Sequence, residues 1–239
     1  MSKTIVALDF SSKKEALEFL ANFKEPIFIK LGMELIYSEG FEIIDEIKSL
    51  NHQIFLDLKL HDIPNTVKNA LKALAKKDVD IVNVHAAGGI EMMRAAKEGL
   101  MEGFKESPNF NDKKPPLCIA VTQLTSTSKE TMNSEILIDG EVIDAVKKYA
   151  LNAKTAGLDG VVCSVYEAKI IHEICGSEFL TITPGIRTLS DSKDDQKRVA
   201  TPEFAKEMGC DFIVVGRSIT KDENPVLKYK MIENIMQGI

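Results

Sequence analysis

The sequence predicts an α/β fold, a single (β/α)₈ barrel of the TIM-barrel class, and three observations support this prediction. Eight short runs rich in β-branched residues alternate along the chain with longer stretches of helical periodicity. The runs are apolar on both faces, as in parallel strands covered by helices. The chain has 239 residues, close to the ~250 residues of one such barrel. A doubly wound open sheet is the alternative, but eight βα units in this length favour closure.

No Pro-, Gly- or Ser-rich linker and no change of composition divides the chain, so we expect one domain over residues 1–239. The predicted strands are Thr4–Phe10, Ile27–Gly32, Gln53–Leu60, Ile81–Ala87, Leu117–Gln123, Gly160–Val165, Phe179–Thr183 and Phe212–Gly216. The predicted helices are Lys13–Phe23, Phe41–Leu50, Val67–Lys76, Glu91–Phe104, Val142–Ala156, Glu167–Cys175, Pro202–Met208 and Val226–Met236. Ser11 or Ser12 can cap the first helix, and Pro225 suits the first turn of the last. Gly157 and Gly209 suit the positions just after helix ends.

The composition excludes several classes of partner. The chain carries a net charge of −6 and has a pI near 5.4, so we expect neither nucleic acid nor an acidic membrane as a partner. No uncharged apolar stretch approaches the ~18 residues of a membrane span, and the N-terminal segment lacks the basic flank of a signal peptide. The four cysteines show no C-x-x-C spacing and lie mostly in apolar runs, as buried free thiols would. These features predict a cytoplasmic protein.

The third predicted strand carries charges where a barrel strand should be apolar. Asp57 and Lys59 alternate with leucines, so with a period of two they share one face and enter the barrel. A buried carboxylate and ammonium are costly unless they are paired or used. Taken alone, the motif could be a structural ion pair. However, Asp9 ends the first predicted strand, Lys30 ends the second, and Asp62 follows the third. Three consecutive strands thus bring alternating charges to the rim where such barrels place their active sites.

This array predicts a particular chemistry. A lysine between carboxylates keeps its charged form, which opposes a Schiff-base role because that role needs a neutral amine. Held as a cation, the lysine can stabilise a developing carbanion and then donate its proton to it. The carboxylates could also bind a divalent metal, but an ammonium group fixed among them competes for that place. The array therefore predicts carbanion chemistry by electrostatics and proton transfer.

The last two strands predict an anion site. Residues 183–187 follow strand seven and residues 214–218 follow strand eight, where barrels of this class usually bind phosphate. Glycine lets backbone N–H groups approach a phosphate, a short helix after Gly216 would add its dipole, and Arg217 supplies charge and directed donors. Residues 189–198 between these motifs are either a solvated loop or a lid that closes with Gln196 pointing inward.

Two further segments carry polar residues near the predicted rim. The fifth strand ends in a run that contains Thr125 and Ser126, whose hydroxyls could contact polar atoms of a ring or merely cap the next helix. Asn83 and His85 lie in the fourth strand. We interpret them as residues that support the site, and a hydrogen-bonded core histidine is favoured over a catalytic one.

Residues 57–66 (DLKLHDIPNT) resemble the signature of the orotidine 5′-monophosphate decarboxylase family, and the resemblance extends over essentially the full chain. The other matching segments are residues 7–9, 29–32, 83–89, 121–126, 183–187 and 214–218. The D-x-K-x-x-D motif alone is shared with related sugar-phosphate enzymes, whereas the ordered set is specific to this family. No catalytic position departs from the pattern.

The resemblance implies conversion of orotidine 5′-monophosphate to UMP and carbon dioxide in de novo pyrimidine biosynthesis, by a homodimer with shared active sites and without metal or cofactor. It implies that Lys59 protonates carbon 6 of the pyrimidine. Lys30, Asp57 and Asp62 would complete its charged network, with Asp62, Ile63 and Thr66 coming from the partner subunit. The implied substrate-binding residues are Asp9, Lys30, Asp57, Asp62, Ile63, Thr66, Thr125, Ser126, Pro184, Arg187, Gln196, Gly216 and Arg217.

Two rival interpretations stay open. One is a 3-keto-L-gulonate 6-phosphate decarboxylase or hexulose-phosphate synthase, which shares the barrel and the motif but works through a metal-stabilised enediolate. The Thr-Gln-Leu-Thr-Ser run and the long loop with Gln196 favour the pyrimidine nucleotide. The other is a non-catalytic barrel that binds nucleotide, which would need no lysine between carboxylates.

Overall fold

The structure is a computed structural model that describes residues 2–108, 110–188 and 200–239. Eight parallel strands form a closed barrel in chain order. They are β1 (Thr4–Ala7), β2 (Phe28–Gly32), β3 (Gln53–Leu60), β4 (Ile81–His85), β5 (Leu117–Val121), β6 (Gly160–Val162), β7 (Leu180–Thr183) and β8 (Phe212–Val215). Because β1 pairs with β8 in the register Thr4 to Ile213, strands from both ends of the chain close the barrel. The predicted (β/α)₈ fold is confirmed.

Helices join the strands. They are α1 (Lys13–Leu20), α2 (Met33–Glu39), α3 (Glu42–Ser49), α4 (Pro64–Leu74), α5 (Gly89–Lys105), α6 (Lys129–Ser134), α7 (Val142–Thr155), α8 (Val165–Cys175), α9 (Pro202–Glu207), α10 (Arg217–Thr220) and α11 (Pro225–Gln237). All eight predicted helices are present, but the sequence analysis missed α2 and α6, which are too short to show a clear helical period. Within the described part of the chain, no helix is both long and apolar enough to cross a membrane.

The local end signals act as predicted, whereas the strand ends differ. The Ser12 side chain caps α1 by accepting from Glu15 N, and Pro225 begins α11. Gly157 and Gly209 follow their helices with φ of 83° and 76°. Several strands are shorter at their carboxyl ends than predicted. β1, for example, ends at Ala7, so that the buried Leu8 and the exposed Asp9 both lie beyond it.

Apolar side chains fill the barrel interior below the charged rim. The buried residues of this inner cluster are Ile5, Ala7, Phe28, Phe55, Ile81, Ile119, Ile182, Phe212 and Val214. A separate buried cluster, which includes Leu56 and Leu58, packs between the strands and the helices. Since side chains alternate along a strand, the next inward positions above Phe28 and Phe55 are Lys30 and Asp57. The apolar inner cluster therefore ends at the level where Lys30 and Asp57 enter the barrel.

The opposite end of the barrel, which we call the floor, is held by three aspartates that directly precede even-numbered strands. Each accepts a hydrogen bond from a backbone N–H at the start of the preceding odd-numbered strand, at 2.7 to 2.8 Å. The pairs are Asp80 with Ile54, Asp159 with Cys118, and Asp211 with Thr181. A basic side chain from the helix before the odd strand contacts each aspartate, and these are Lys48, Lys97 and His172. The floor aspartates thus provide hydrogen-bond acceptors for backbone N–H groups at the starts of three strands.

Candidate active site

A row of alternating charges crosses the carboxyl ends of the first three strands. Lys30 Nζ lies 2.9 Å from Asp9 Oδ1 and 3.5 Å from Asp57 Oδ2. Lys59 Nζ lies 2.7 Å from Asp57 Oδ1. The Asp57 side chain is 11% exposed, whereas that of Asp9 is 59% exposed. The structure therefore brings these four predicted residues together, with Asp57 buried between two ammonium groups.

The surroundings of Asp57 favour its ionised form. Burial alone would raise the pKa of this carboxyl group. The ammonium groups of Lys30 and Lys59 outweigh that effect, and hydrogen bonds from Lys59 and Asn83 add to theirs, so the pKa of Asp57 lies below its ordinary value. Asp57 is therefore a carboxylate at neutral pH and presents a negative charge to the cavity above it.

Lys59 departs from regular strand geometry. Its φ is 53°, in the left-handed region that residues with a Cβ rarely adopt. At the same place the register between β3 and β4 shifts, because Leu56 pairs with Val82 whereas Leu60 pairs with Val84. The alternation in the sequence correctly predicts that Asp57 and Lys59 share a face. It does not predict the kink at Lys59.

Two residues of β4 lie beside this kink. Asn83, which is 1% exposed, accepts a hydrogen bond from Lys59 N at 2.8 Å and donates one to Asp57 Oδ1 at 2.7 Å. The His85 ring lies 5.6 Å from the His61 ring. Burial, His61 and Lys59 lower the pKa of His85, which favours the neutral imidazole. Both residues of β4 thus lie beside the charged row.

A cavity of about 220 Å³ lies over the part of this row formed by Lys30, Asp57 and Lys59. Its charged lining residues are Lys30, Asp57 and Lys59, and its polar lining residues on the β5 side are Gln123, Thr125 and Ser126. Lys59 therefore faces a space that is bounded on one side by charges and on the other by neutral hydrogen-bonding groups. Each of these residues was predicted from the sequence except Gln123, which is buried and lies two residues before Thr125.

A second cavity, of about 580 Å³, lies over the ends of β7, β8 and β1. Its polar lining residues include Asp9, Lys30, Glu34, Arg187, Arg217 and Lys221, with backbone from Pro184 and Gly216. Lys30, Pro184 and Val214 line both cavities, so the two spaces adjoin. The predicted anion-binding residues are thus next to the charged row. Lys221 and Glu34 were missed, and only the four-residue spacing from Arg217 to Lys221 could have indicated the lysine.

The remaining predicted site residues lie elsewhere. Asp62, Ile63 and Thr66 are exposed, and Asp62 Oδ1 accepts from the N–H of Ile63 at 2.6 Å. Among the described residues, those that line the two cavities do not include these three. Gln196 and the loop of residues 189–198 fall outside the described residues. A single chain therefore assembles the charged row and the anion end, but leaves the Asp62 segment outside.

Comparison with known proteins agrees with this geometry. The model of the orotidine 5′-phosphate decarboxylase / HUMPS family matches residues 2–232. Orotidine 5′-phosphate decarboxylase of Bacillus cytotoxicus is 56% identical over 100% of this chain and 99% of its own length, and that of Bacillus cereus is 56% identical over 98% and 97%. The crystal structure of orotidine 5′-phosphate decarboxylase from Lactobacillus acidophilus is 40% identical, with a TM-score of 0.88 and 99% of each chain covered. These matches confirm the resemblance that the motifs indicated. The chain belongs to the orotidine 5′-phosphate decarboxylase / HUMPS family.

Proposed function

We infer that this chain decarboxylates orotidine 5′-monophosphate to UMP and carbon dioxide in pyrimidine biosynthesis. The observation that carries this inference is the position of the Lys59 ammonium group, which lies 2.7 Å from the Asp57 carboxylate. This group faces the first cavity, which adjoins the second cavity with Arg187 and Arg217. A substrate with a reacting ring at one end and a phosphate at the other fits this division. The names of the full-length relatives at 56% identity support it.

The chemistry follows from the electrons that the departing carbon dioxide leaves behind. Cleavage of the bond between carbon 6 and the carboxyl group leaves an electron pair in an sp² orbital, in the plane of the ring, where the π-system cannot delocalise it. A nearby cation is therefore more useful than an electron sink. The Lys59 ammonium group stabilises this pair and then transfers a proton to carbon 6, which forms the C–H bond of UMP.

Asp57 has two tasks in this scheme. Its carboxylate holds the Lys59 ammonium group in place and, being ionised, faces the carboxylate of the bound substrate. Repulsion between the two carboxylates is relieved when carbon dioxide leaves, so it favours the reaction. Lys30, between Asp9 and Asp57, links the row to the ribose end.

The remaining contacts are proposed from the family motifs and, for the described residues, from their place along the two cavities. We propose that Thr125 and Ser126 bind the pyrimidine and that Asp9 and Lys30 bind the ribose hydroxyls. The proposed phosphate-end residues are Pro184, Arg187, Gln196, Gly216 and Arg217. A phosphate remote from carbon 6 can supply binding energy that organises the site for the chemical step.

We further propose that the chain acts as one domain in a homodimer, in which Asp62, Ile63 and Thr66 of the partner subunit complete each site. Ile63 is 67% exposed beside the charged motif, which supports a partner covering it. The exposed Asp62 carboxylate would then add a second negative charge near Lys59. All four cysteines are free and buried, which suits a reducing compartment and supports a cytoplasmic location.

A direct assay separates the proposed activity from its rivals. Purified protein mixed with orotidylate should remove the orotidylate absorbance and produce UMP in stoichiometric amount. A sugar-phosphate enzyme of the same family would instead act on 3-keto-L-gulonate 6-phosphate or a hexulose phosphate and require Mg²⁺. A non-catalytic barrel would bind the nucleotide without turnover. Either result would overturn the proposal.

A further inference from the structure

We propose that Asn83 is a positioning residue of the decarboxylase, whose side-chain amide holds the Lys59 backbone in its left-handed conformation and orients the Asp57 carboxylate. The inference rests on the proposed function for its catalytic meaning, but the contacts that carry it are independent of the substrate. Asn83 would thus act through Lys59 and Asp57 without touching the reacting atoms.

The first contact of Asn83 is with the backbone of Lys59. A left-handed conformation is unfavourable for a residue with a Cβ and persists only where its surroundings hold it. The ladder between β3 and β4 passes from Leu56–Val82 directly to Leu60–Val84. The N–H of Lys59 lies within this irregular segment, where it donates to Asn83 Oδ1 at 2.8 Å. The Asn83 side chain thus supplies the acceptor for a kinked residue.

The second contact of Asn83 is with the carboxylate of Asp57. Asn83 Nδ2 donates to Asp57 Oδ1 at 2.7 Å, the same oxygen that Lys59 Nζ contacts at 2.7 Å. The three residues therefore form a closed cycle of hydrogen bonds. The backbone N–H of Lys59 donates to Asn83, and the Asn83 amide donates to Asp57. The Asp57 carboxylate also accepts a hydrogen bond from the Lys59 ammonium group, which closes the cycle. Only a group that is both donor and acceptor can close this cycle, and a neutral amide is both at every pH of interest.

The cycle explains why an amide occupies this position between two valines of β4. Asn83 is 1% exposed between the buried residues Val82 and Val84. A buried amide is tolerated when both of its ends are hydrogen-bonded, as they are here. Loss of the amide would free the Lys59 backbone to relax and let the Asp57 carboxylate rotate, and a displacement of about 1 Å in a catalytic group can cost roughly 10²-fold in rate.

The test compares three variants with the wild-type enzyme. Asn83→Ala removes both hydrogen bonds, and Asn83→Asp is nearly isosteric and therefore the one most able to fold. Thr181→Val is the matched control, because it removes a buried strand hydrogen bond to Asp211 at the floor. We expect both Asn83 variants to lower kcat by roughly 10- to 100-fold while KM for orotidylate changes little, because the phosphate end is untouched. The control should lose stability but keep kcat.

A pH profile separates positioning from simple destabilisation. Beside the ionised Asp57, the carboxyl group introduced by Asn83→Asp should have a raised pKa, despite the ammonium groups of Lys30 and Lys59 and the neighbouring His85. When protonated, the introduced carboxyl group can still donate a hydrogen bond to Asp57. When ionised, it repels the Asp57 carboxylate. The ratio of its kcat to that of wild type should therefore fall at least roughly tenfold between pH 5 and pH 8. A flat ratio near one, or unchanged kcat in Asn83→Ala, would overturn the inference.

A measurement without substrate keeps the inference apart from the proposed function. In a ¹³C NMR titration of the free protein, Asn83→Ala should raise the pKa of Asp57, because a hydrogen bond to its charged form is lost. A crystal structure of the variant should show Lys59 with negative φ. Wild-type protein inactive on orotidylate would refute the decarboxylase, whereas an unchanged pKa and φ in the variant would refute the positioning role.

Discussion

Lys59 and Asp57 lie two positions apart on β3, and their side chains meet at 2.7 Å beside a left-handed φ of 53° at Lys59. The proposed proton donor and the carboxylate beside it thus come from one strand, and no hinge or loop separates them. A site carried by a strand is held more rigidly than one carried by a loop. The parts of the site that must adapt to substrate are therefore expected on the anion side.

Arg217 tests the anion side. Arg217→Ala should raise KM for orotidylate by about 10- to 100-fold, because a charge-assisted contact to phosphate is lost. The phosphate-free nucleoside orotidine should remain an equally poor substrate, since it offers no anion to the guanidinium group. Steady-state kinetics with both compounds gives the comparison. Lys221→Ala in the same cavity is the control, and its effect should be smaller because Lys221 is exposed. Equal losses with both substrates would refute a phosphate role for Arg217.

The shared site can be tested by subunit exchange. Lys59→Ala and Asp62→Ala should each be nearly inactive alone. If each site combines Lys59 of one chain with Asp62 of the partner subunit, a mixed dimer has one site with both lesions and one with neither. Random exchange makes about half of the dimers mixed, so about a quarter of all sites should be wild type in a closed two-fold dimer. Native mass spectrometry can verify the exchange. Verified exchange without recovered activity would contradict the shared site.

Metal independence follows from the two ammonium groups beside Asp57. Lys30 and Lys59 occupy the positions from which a divalent cation would contact this carboxylate. Activity on orotidylate should therefore survive exhaustive EDTA treatment, with kcat within about twofold of the untreated enzyme, because the required charge is built into the protein. The measurement is turnover before and after chelation, with Mg²⁺ added back as control. Loss of activity that Mg²⁺ restores would favour a sugar-phosphate enzyme.

Glu233 predicts a pH-dependent contribution to stability. This buried residue of α11 accepts hydrogen bonds from the backbone N–H groups of Lys3 and Thr4 at 3.1 and 2.8 Å. Burial would raise its pKa, but the hydrogen bonds outweigh burial and the pKa lies below the ordinary 4.5. A depressed pKa means that the ionised form stabilises the fold above pH 4.5 and that this stabilisation is lost as the pH falls through the folded-state value.

Glu233→Gln should therefore lower the free energy of unfolding by about 1–3 kcal/mol at pH 7, as expected for hydrogen bonds to a charged group. The difference from wild type should shrink as the pH falls below 4.5. Urea denaturation at pH 7 and pH 3.5 measures both. Glu178→Gln, at an exposed position, should change stability by less than about 0.5 kcal/mol at either pH. A difference that persists undiminished in acid would contradict the assignment.

The sequence predicts the barrel and the charged row because both depend on short-range patterns. Alternation within one strand places Asp57 and Lys59 on one face, and the order of parallel strands places Lys30 beside them. The φ of Lys59 could not be predicted in this way. Nothing at position 59 itself favours a left-handed residue, and the acceptor that holds it is on the next strand, at Asn83.

Other parts of the site were missed for different physical reasons. Lys221 belongs to no motif. It lines the second cavity because it directly follows α10, a single short turn that begins at Arg217. Helix α2 brings Glu34 to the same cavity but is too short to show a period. Asp62 illustrates a third reason, because a position that a partner subunit would complete is exposed in a single chain.

The floor aspartates have a consequence for the opposite end of the barrel. A strand that slips by one residue turns every side chain to the other face. Asp80 accepts a hydrogen bond from the N–H of Ile54. This bond favours the register of β3 in which Phe55 and Asp57 point into the barrel. Replacing Asp80 would therefore endanger the orientation of Asp57 from a distance of three residues, roughly 10 Å along the strand. The height and direction of the Asp57 carboxylate thus depend on an aspartate at the opposite end of the barrel from the two cavities.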